Sequence, residues 1–179
     1  MQSGIPVFTA FETQTALETI TGERTIALSP NKSCQIGSFT VVPFNVPHDT
    51  EIECYGYLIK HDEMGKLLFL TDLEYCKYDF SNQMVNHILC EANYDMQFVN
   101  RDEPNYEHRL RGHMSLDTAL KFISTNDNPN LRSVCLLHLS DKSGNPALFK
   151  QKTEETVKYG ANVYIAEKGL EVDMNLCPF

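Results

Sequence analysis

Basic residues are scarce in this sequence: 15 Lys and Arg stand against 24 Asp and Glu, a formal net charge of −9. That balance excludes broad, nonspecific binding to nucleic acid, which needs basic surface. It leaves room for a local basic groove, and it suits an acidic face that meets a basic partner. No apolar run approaches the roughly 20 residues that a helix needs to cross a bilayer. The first residues, "MQSGIPVF", lack the basic start and long apolar core of a signal peptide. The expectation is a soluble cytoplasmic protein with no membrane contact. There is no Cys-x-x-Cys. The cysteines at 34, 54, 76, 90, 135 and 177 are irregularly spaced. Cys90 in "HILCEA" and Cys135 in "SVCLLHL" sit inside apolar runs, where a thiol behaves as a small hydrophobe. All six read as free thiols in a reducing compartment. A Gly-x-Ser-x-Gly elbow, a phosphate-binding glycine loop and a dinucleotide fingerprint are also missing, so serine nucleophile chemistry and nucleotide-cofactor redox chemistry have no support.

What is present fits one domain over residues 1–179. The chain is 42% apolar and 22% charged, ordinary values for a globular fold. "IPVFTA" (5–10) reads as a strand, and "FETQTALETIT" (11–21) as a helix with Phe11, Leu17 and Ile20 broadly on one side and Gly22 at its end. "TIAL" (25–28) and "SFTVVPFNV" (38–46) are strands, the second with Pro43 at a bulge or edge. Arms 53–60 and 66–71 flank "HDEMG" as a hairpin whose turn is supplied by Gly65, and His61 in that turn reads as exposed. Residues 85–93 form a buried strand in which His87 is structural. Residues 94–114 are polar and irregular, in part helical.

"SLDTALKFIST" (115–125) is a helix capped by Ser115, and 132–140 a buried strand ending in His138. Residues 145–160 carry helix signals: Asn145 as cap, Pro146 in the first turn, Gly160 after the end. Residues 162–173 read as a closing hairpin. Strands in meander order, followed by helices alternating with strands, predict a layered α/β or α+β domain with a mostly antiparallel or mixed sheet and flanking helices.

The metal-capable residues gather at strand ends. His48 and Asp49 follow 38–46, Asp72 ends "KLLFLTD", Glu91 ends "NHILCE", and His138 ends "VCLLHLSD" with Asp141 behind it. Strands pointing the same way bring such residues to one rim, where layered α/β folds place their sites. Each residue also has a plainer reading. His48 can cap a strand, Asp72 can form a turn, His138 can be a hydrogen-bonded core residue, and Asp49 and Asp141 can be turn formers. Two His and one Asp make a partial ligand set for a zinc-like ion. His113 in "LRGHMS" precedes a helix start, where it could protonate a leaving oxygen or simply face solvent. Arg101, His108, Arg109 and Arg111 make 101–113 the most basic stretch, a candidate phosphate contact or a solvated loop. His108 and His113 are five apart, which puts them on different sides of a helix.

In order, "SGIPVFTAFET", "VVPFNVPHD", "YGYLI", "GKLLFLTD", "ILCEANYD", "GHMS" and "CLLHLSD" resemble the later part of the metallo-β-lactamase-fold hydrolases. The branch is the nuclease- and phosphodiesterase-like one that includes YycJ-type bacterial and phage hydrolases. The resemblance covers residues 3–173. It implies His48 as a ligand of a first metal, Asp72 as a bridge between two metals, and His138 as a ligand of the second. It further implies that Glu91 and His113 assist phosphodiester cleavage. The family's His-x-His-x-Asp-His motif does not occur here, and three matched ligand positions are too few to hold two zinc or manganese ions tightly.

The resemblance therefore implies a truncated member with apolar sheet surface exposed, covered by a second copy or by a protein partner. The leading expectation is a non-catalytic binding module, of the kind a phage would use to inhibit a nucleic-acid-handling host defence protein. Its partner would be a protein, a nucleic acid or a nucleoprotein. The alternative is a metal-dependent phosphodiesterase or nuclease, either a fragment or completed by another chain.

Overall fold

The computed structural model describes residues 4–21, 24–48 and 53–177. β1 (Val7–Thr9), α1 (Phe11–Thr21) and β2 (Thr25–Ala27) form a small unit in which β1 and β2 pair in parallel. β3 (Cys34–Ile36), β4 (Phe39–Val46), β5 (Cys54–His61), β6 (Gly65–Leu70), β7 (His87–Glu91), β8 (Ser133–Leu137) and β9 (Asn162–Ile165) make one sheet, ordered as in the chain. The pairings from β3 to β6 are antiparallel, and those from β6 to β9 are parallel. β4 and β6 both oppose β5, so β4, β6, β7, β8 and β9 all run in one direction. Their C-terminal ends therefore lie along a single edge.

Alternation along these strands builds the core. Leu68, Ile88 and Val134 stand in register across β6, β7 and β8, as do Leu70, Cys90 and Leu136, and all six are buried in one cluster. Against that face pack α3 (Leu116–Asn126), through Leu116, Ala119, Phe122 and Ile123, and α4 (Pro146–Thr156), through Phe149. Numbering helices in chain order, the short α2 (Tyr106–Gly112) precedes them. α3 and α4 start as their sequences predict: Ser115 Oγ accepts from the Thr118 amide, and Asn145 Oδ1 from the Leu148 amide, with Pro146 in the first turn. On the opposite face of the sheet, Tyr55 is buried with Ala10 and Leu28 of the N-terminal unit. Exposed apolar side chains concentrate on that unit: Ile5, Val7, Phe11 and Ile26.

Several expectations need correction. Residues 162–173 do not form a hairpin: β9 pairs with β8, and Gly169 (φ 88°) turns the chain into an irregular, charged segment. α4 stops at Thr156, before Gly160, because Val157 turns to extended backbone (φ −74°, ψ 127°) while its amide still closes on the Thr153 carbonyl. His61 is half-buried, held by Ser38 Oγ at 2.9 Å and stacked near Phe39. Pro43 sits in β4 beyond the short β3, where its carbonyl accepts from the Asn31 amide and no ladder N–H is required. Gly65 (φ 77°) does make the β5–β6 turn. The Ile20 side chain, Gly22 and Asp49 lie outside the described residues. No helix among the described residues is long and apolar enough to cross a membrane.

Candidate metal centre

Four side chains converge where the sheet's parallel strands end. One donor atom each from Asp72, Glu91, His113 and His138 lies within 4.8 Å of the others. Asp72 follows β6, Glu91 ends β7, and His138 follows β8. His113 caps α2 in extended conformation and is drawn in by Glu91.

Glu91 is the centre of the arrangement. Its side chain is fully buried, and one oxygen accepts from the Leu73 amide at 3.1 Å. The other lies 2.7 Å from His113 Nδ1 and 3.4 Å from His138 Nδ1. His138 Nδ1 is also 3.2 Å from Asp72. A carboxylate can only accept, so the His113 Nδ1 position carries hydrogen and the lone pair of the neutral ring is at Nε2. The same contact holds the His113 imidazole above its usual pKa range, against burial, which pulls it down.

The backbone is strained at the same place. Asp72 (φ 55°) and His138 (φ 56°) both adopt the left-handed region without being glycine. Neighbours hold them there: Asn93 Nδ2 donates to the His138 carbonyl at 2.7 Å, and the residue after Asp72 is tied to Glu91. The conformation turns both side chains toward Glu91, and their half-exposed tips remain reachable (Asp72 50% and His138 42% exposed). Two imidazoles and two carboxylates are the donor types a zinc- or manganese-class ion takes, three or four at a time, so the residues present fit such an ion. A cleft of 540 Å³ opens beside His138, lined in part by Leu139, Lys150, Ile165 and Leu170.

The other sequence-derived residues fall into two groups. His48 stands outside the four-residue cluster but close to it, with ring centroids 5.9 Å from His113 and 6.4 Å from His108. Its Nδ1 donates to the Gly112 carbonyl at 2.7 Å. Arg101 and Arg111 are exposed. Arg109 departs from the solvent-facing cation that the basic stretch suggests: it is buried, with Nη2 on Glu103 at 2.8 Å and Nη1 on Ser143 Oγ at 2.9 Å. A guanidinium cannot be buried without such partners. Asp141 is exposed beside the cleft. His87 is buried at the opposite edge of the sheet, bonded to Ser133 Oγ.

No protein-family model matches the sequence, and no curated protein matches it. The fold is similar to solved structures. The metallo-β-lactamase-fold protein YhfI from Bacillus subtilis superposes with a TM-score of 0.69 at 18% identity, over 92% of this chain and 63% of that one. Igni18, a metallo hydrolase from the archaeon Ignicoccus hospitalis, gives 0.66 at 16% identity, over 95% and 69%. A diphosphatase of the PhnP family gives 0.58 at 16% identity, over 94% and 57%. The chain thus spans about three fifths of the length of YhfI and of the diphosphatase. These likenesses show that this chain has a metallo-β-lactamase-type fold.

Proposed function

We propose that this protein is a divalent-metal-dependent hydrolase acting on phosphoester-type substrates. The observation that carries the reading is the convergence of Asp72, Glu91, His113 and His138 on one point at the C-terminal edge of the sheet. That two of the four sit on strained backbone supports it, because such strain persists where a site requires it. Metallo-hydrolases among the fold neighbours support the reaction class, and the PhnP-family diphosphatase supports phosphorus chemistry.

Asp72, Glu91 and His138 would hold the ion, with His113 beside them. Bound there, a divalent cation supplies Lewis acidity toward a phosphoryl oxygen. The protein's own part is placement. Glu91 fixes the His113 ring through Nδ1, leaving Nε2 toward the open side. Asp72 and His138 present their tips at the mouth of the site, next to a cleft of 540 Å³, which is within the range of about 300–1,000 Å³ typical of small-ligand sites.

A second reading is a binding module with a vestigial site. The absence of any His-x-His from the sequence favours it. Hydrolysis of bis(p-nitrophenyl) phosphate by the zinc- or manganese-loaded chain separates the two. Turnover that is lost in Asp72→Ala and His138→Ala supports the hydrolase. Turnover that is absent under both metals, or indifferent to both substitutions, overturns it in favour of the module.

A further inference from the structure

β7 lies between β6 and β8 in the sheet, and its end reaches both left-handed residues, Asp72 and His138. The planar peptide that follows a residue turns with that residue's ψ, so a bond to this peptide fixes the dihedral. After Asp72, the Leu73 N–H donates to Glu91 Oε2 at 3.1 Å. After His138, the carbonyl of the His138–Leu139 peptide accepts from Asn93 Nδ2 at 2.7 Å. One peptide is held by its N–H and the other by its C=O, each from a side chain at the end of β7. Glu91 does this while its other oxygen faces His113 and His138. Asn93 has no atom in the four-residue cluster.

The main chain of Asn93 joins the loops of two cluster residues. Its amide donates to the Met114 carbonyl at 2.9 Å, one residue past His113, and its carbonyl accepts from the Ser140 amide at 2.8 Å, two past His138. These two bonds survive substitution of the side chain. The bond to His138 does not: a carbonyl oxygen only accepts, so the group facing it must be a donor such as the Asn93 NH₂. Asn93 is only 6% exposed, so its side chain meets protein partners and not bulk water.

We infer that Asn93 is a positioning residue of the metal centre: its side chain holds His138 in the left-handed conformation that brings the His138 ring against Asp72 and Glu91. The inference rests on the proposed metal-dependent function and adds to it a residue that touches neither the ion nor the substrate. Without this bond, His138 relaxes toward the backbone regions that residues other than glycine prefer, and its ring leaves the cluster. The remaining ligands then bind a cation only as well as they do when the His138 ring is gone.

The test is a double-substitution cycle on zinc affinity, measured by equilibrium dialysis on the full chain, first stripped of metal and then given zinc alone. Asn93→Ala should weaken zinc binding about 10- to 100-fold, the usual cost of losing a group that orients a ligand. In a His138→Ala background the same substitution should change the affinity by less than about threefold, because the effects of residues that act through one another do not add. Equal weakening in both backgrounds is the mark of a merely structural Asn93 and overturns the inference. Wild-type affinity in Asn93→Ala, with the ion lost in His138→Ala, overturns it too. Either result leaves the proposed function standing. If Asn93→Ala fails to fold, as judged by its melt without metal, Asn93→Ser enters the same cycle, since its hydroxyl reaches one bond less far and falls short of the His138 carbonyl. No zinc on the wild type, or zinc that neither Asp72→Ala nor His138→Ala disturbs, overturns both.

Discussion

The two edges of the parallel half-sheet each hold a histidine beside polar partners, buried His87 at one and half-buried His113 at the other, and they use it in opposite ways. At the N-terminal edge, His87 bonds to Ser133 Oγ at 2.7 Å, and burial pulls its imidazole below the usual pKa range. Its neighbours are tied to backbone: Asn86 accepts from the Lys66 amide and donates to the Asn130 carbonyl, and Asn128 donates to the Val85 carbonyl. At the C-terminal edge, a buried carboxylate raises the His113 pKa, and Glu91, Asp72 and His138 are gathered on one another. Polar groups that close on backbone hold loops in register. Carboxylates and imidazoles collected against one another, with Asp72 and His138 on left-handed backbone, bring several donor atoms to one point. On the proposed reading, the difference between edges is the difference between a structural network and a binding site.

The largest effect that sharpens this contrast is on metal affinity. Asp72→Ala or His138→Ala should weaken zinc binding by more than about 100-fold, beyond what outer-shell changes cost, as measured by equilibrium dialysis. Ser133→Ala should leave that affinity unchanged while lowering unfolding stability in urea by about 1–3 kcal/mol, because buried His87 loses its partner. Asp72→Gly should do the reverse. It removes a left-handed non-glycine residue and should stabilise the metal-free chain by about 1 kcal/mol while abolishing zinc binding. A metal-free Asp72→Gly less stable than wild type would break the claim that the site stores strain.

The smallest effect lies away from both edges, at Asp95. Burial opposes its charge, but the Gln97 amide and Lys152 at 3.0 Å outweigh that and hold its carboxyl below the usual range. A depressed folded-state pKa means that the stabilisation is present above the unfolded value of about 3.9 and is lost as pH falls through the folded one. Asp95→Asn should therefore cost up to about 1 kcal/mol at pH 7, and the difference from wild type should vanish in acid, as read from urea midpoints across pH.

Much of this was legible in the sequence wherever local chemistry decides the outcome. Ser115 and Asn145 announce their helices because a cap needs only its own first turn. Asp72, Glu91 and His138 could be placed on one rim because each ends an apolar strand. What was hidden depends on tertiary placement. The His113–Glu91 bond joins residues 22 apart. No residue pattern marks Asp72 or His138 as left-handed. Helical periodicity puts His108 and His113, five residues apart, on different sides of a helix. α2 ends at Gly112, and His113 (φ −136°, ψ 149°) turns away from the helix, so that periodicity does not apply to it. Arg109 looked like a free cation because its partners, Glu103 and Ser143, come from separate loops.

Thermal melting with and without zinc tests the central claim most directly, that the C-terminal edge binds a divalent cation and the N-terminal edge does not. Zinc at 100 times its dissociation constant adds about 2.7 kcal/mol to a chain that binds one ion only when folded. Wild type and Ser133→Ala should both gain a clear rise in melting temperature, and His138→Ala should gain much less. A wild type whose melting zinc leaves unmoved, or a His138→Ala chain that zinc stabilises as strongly as wild type, would contradict it.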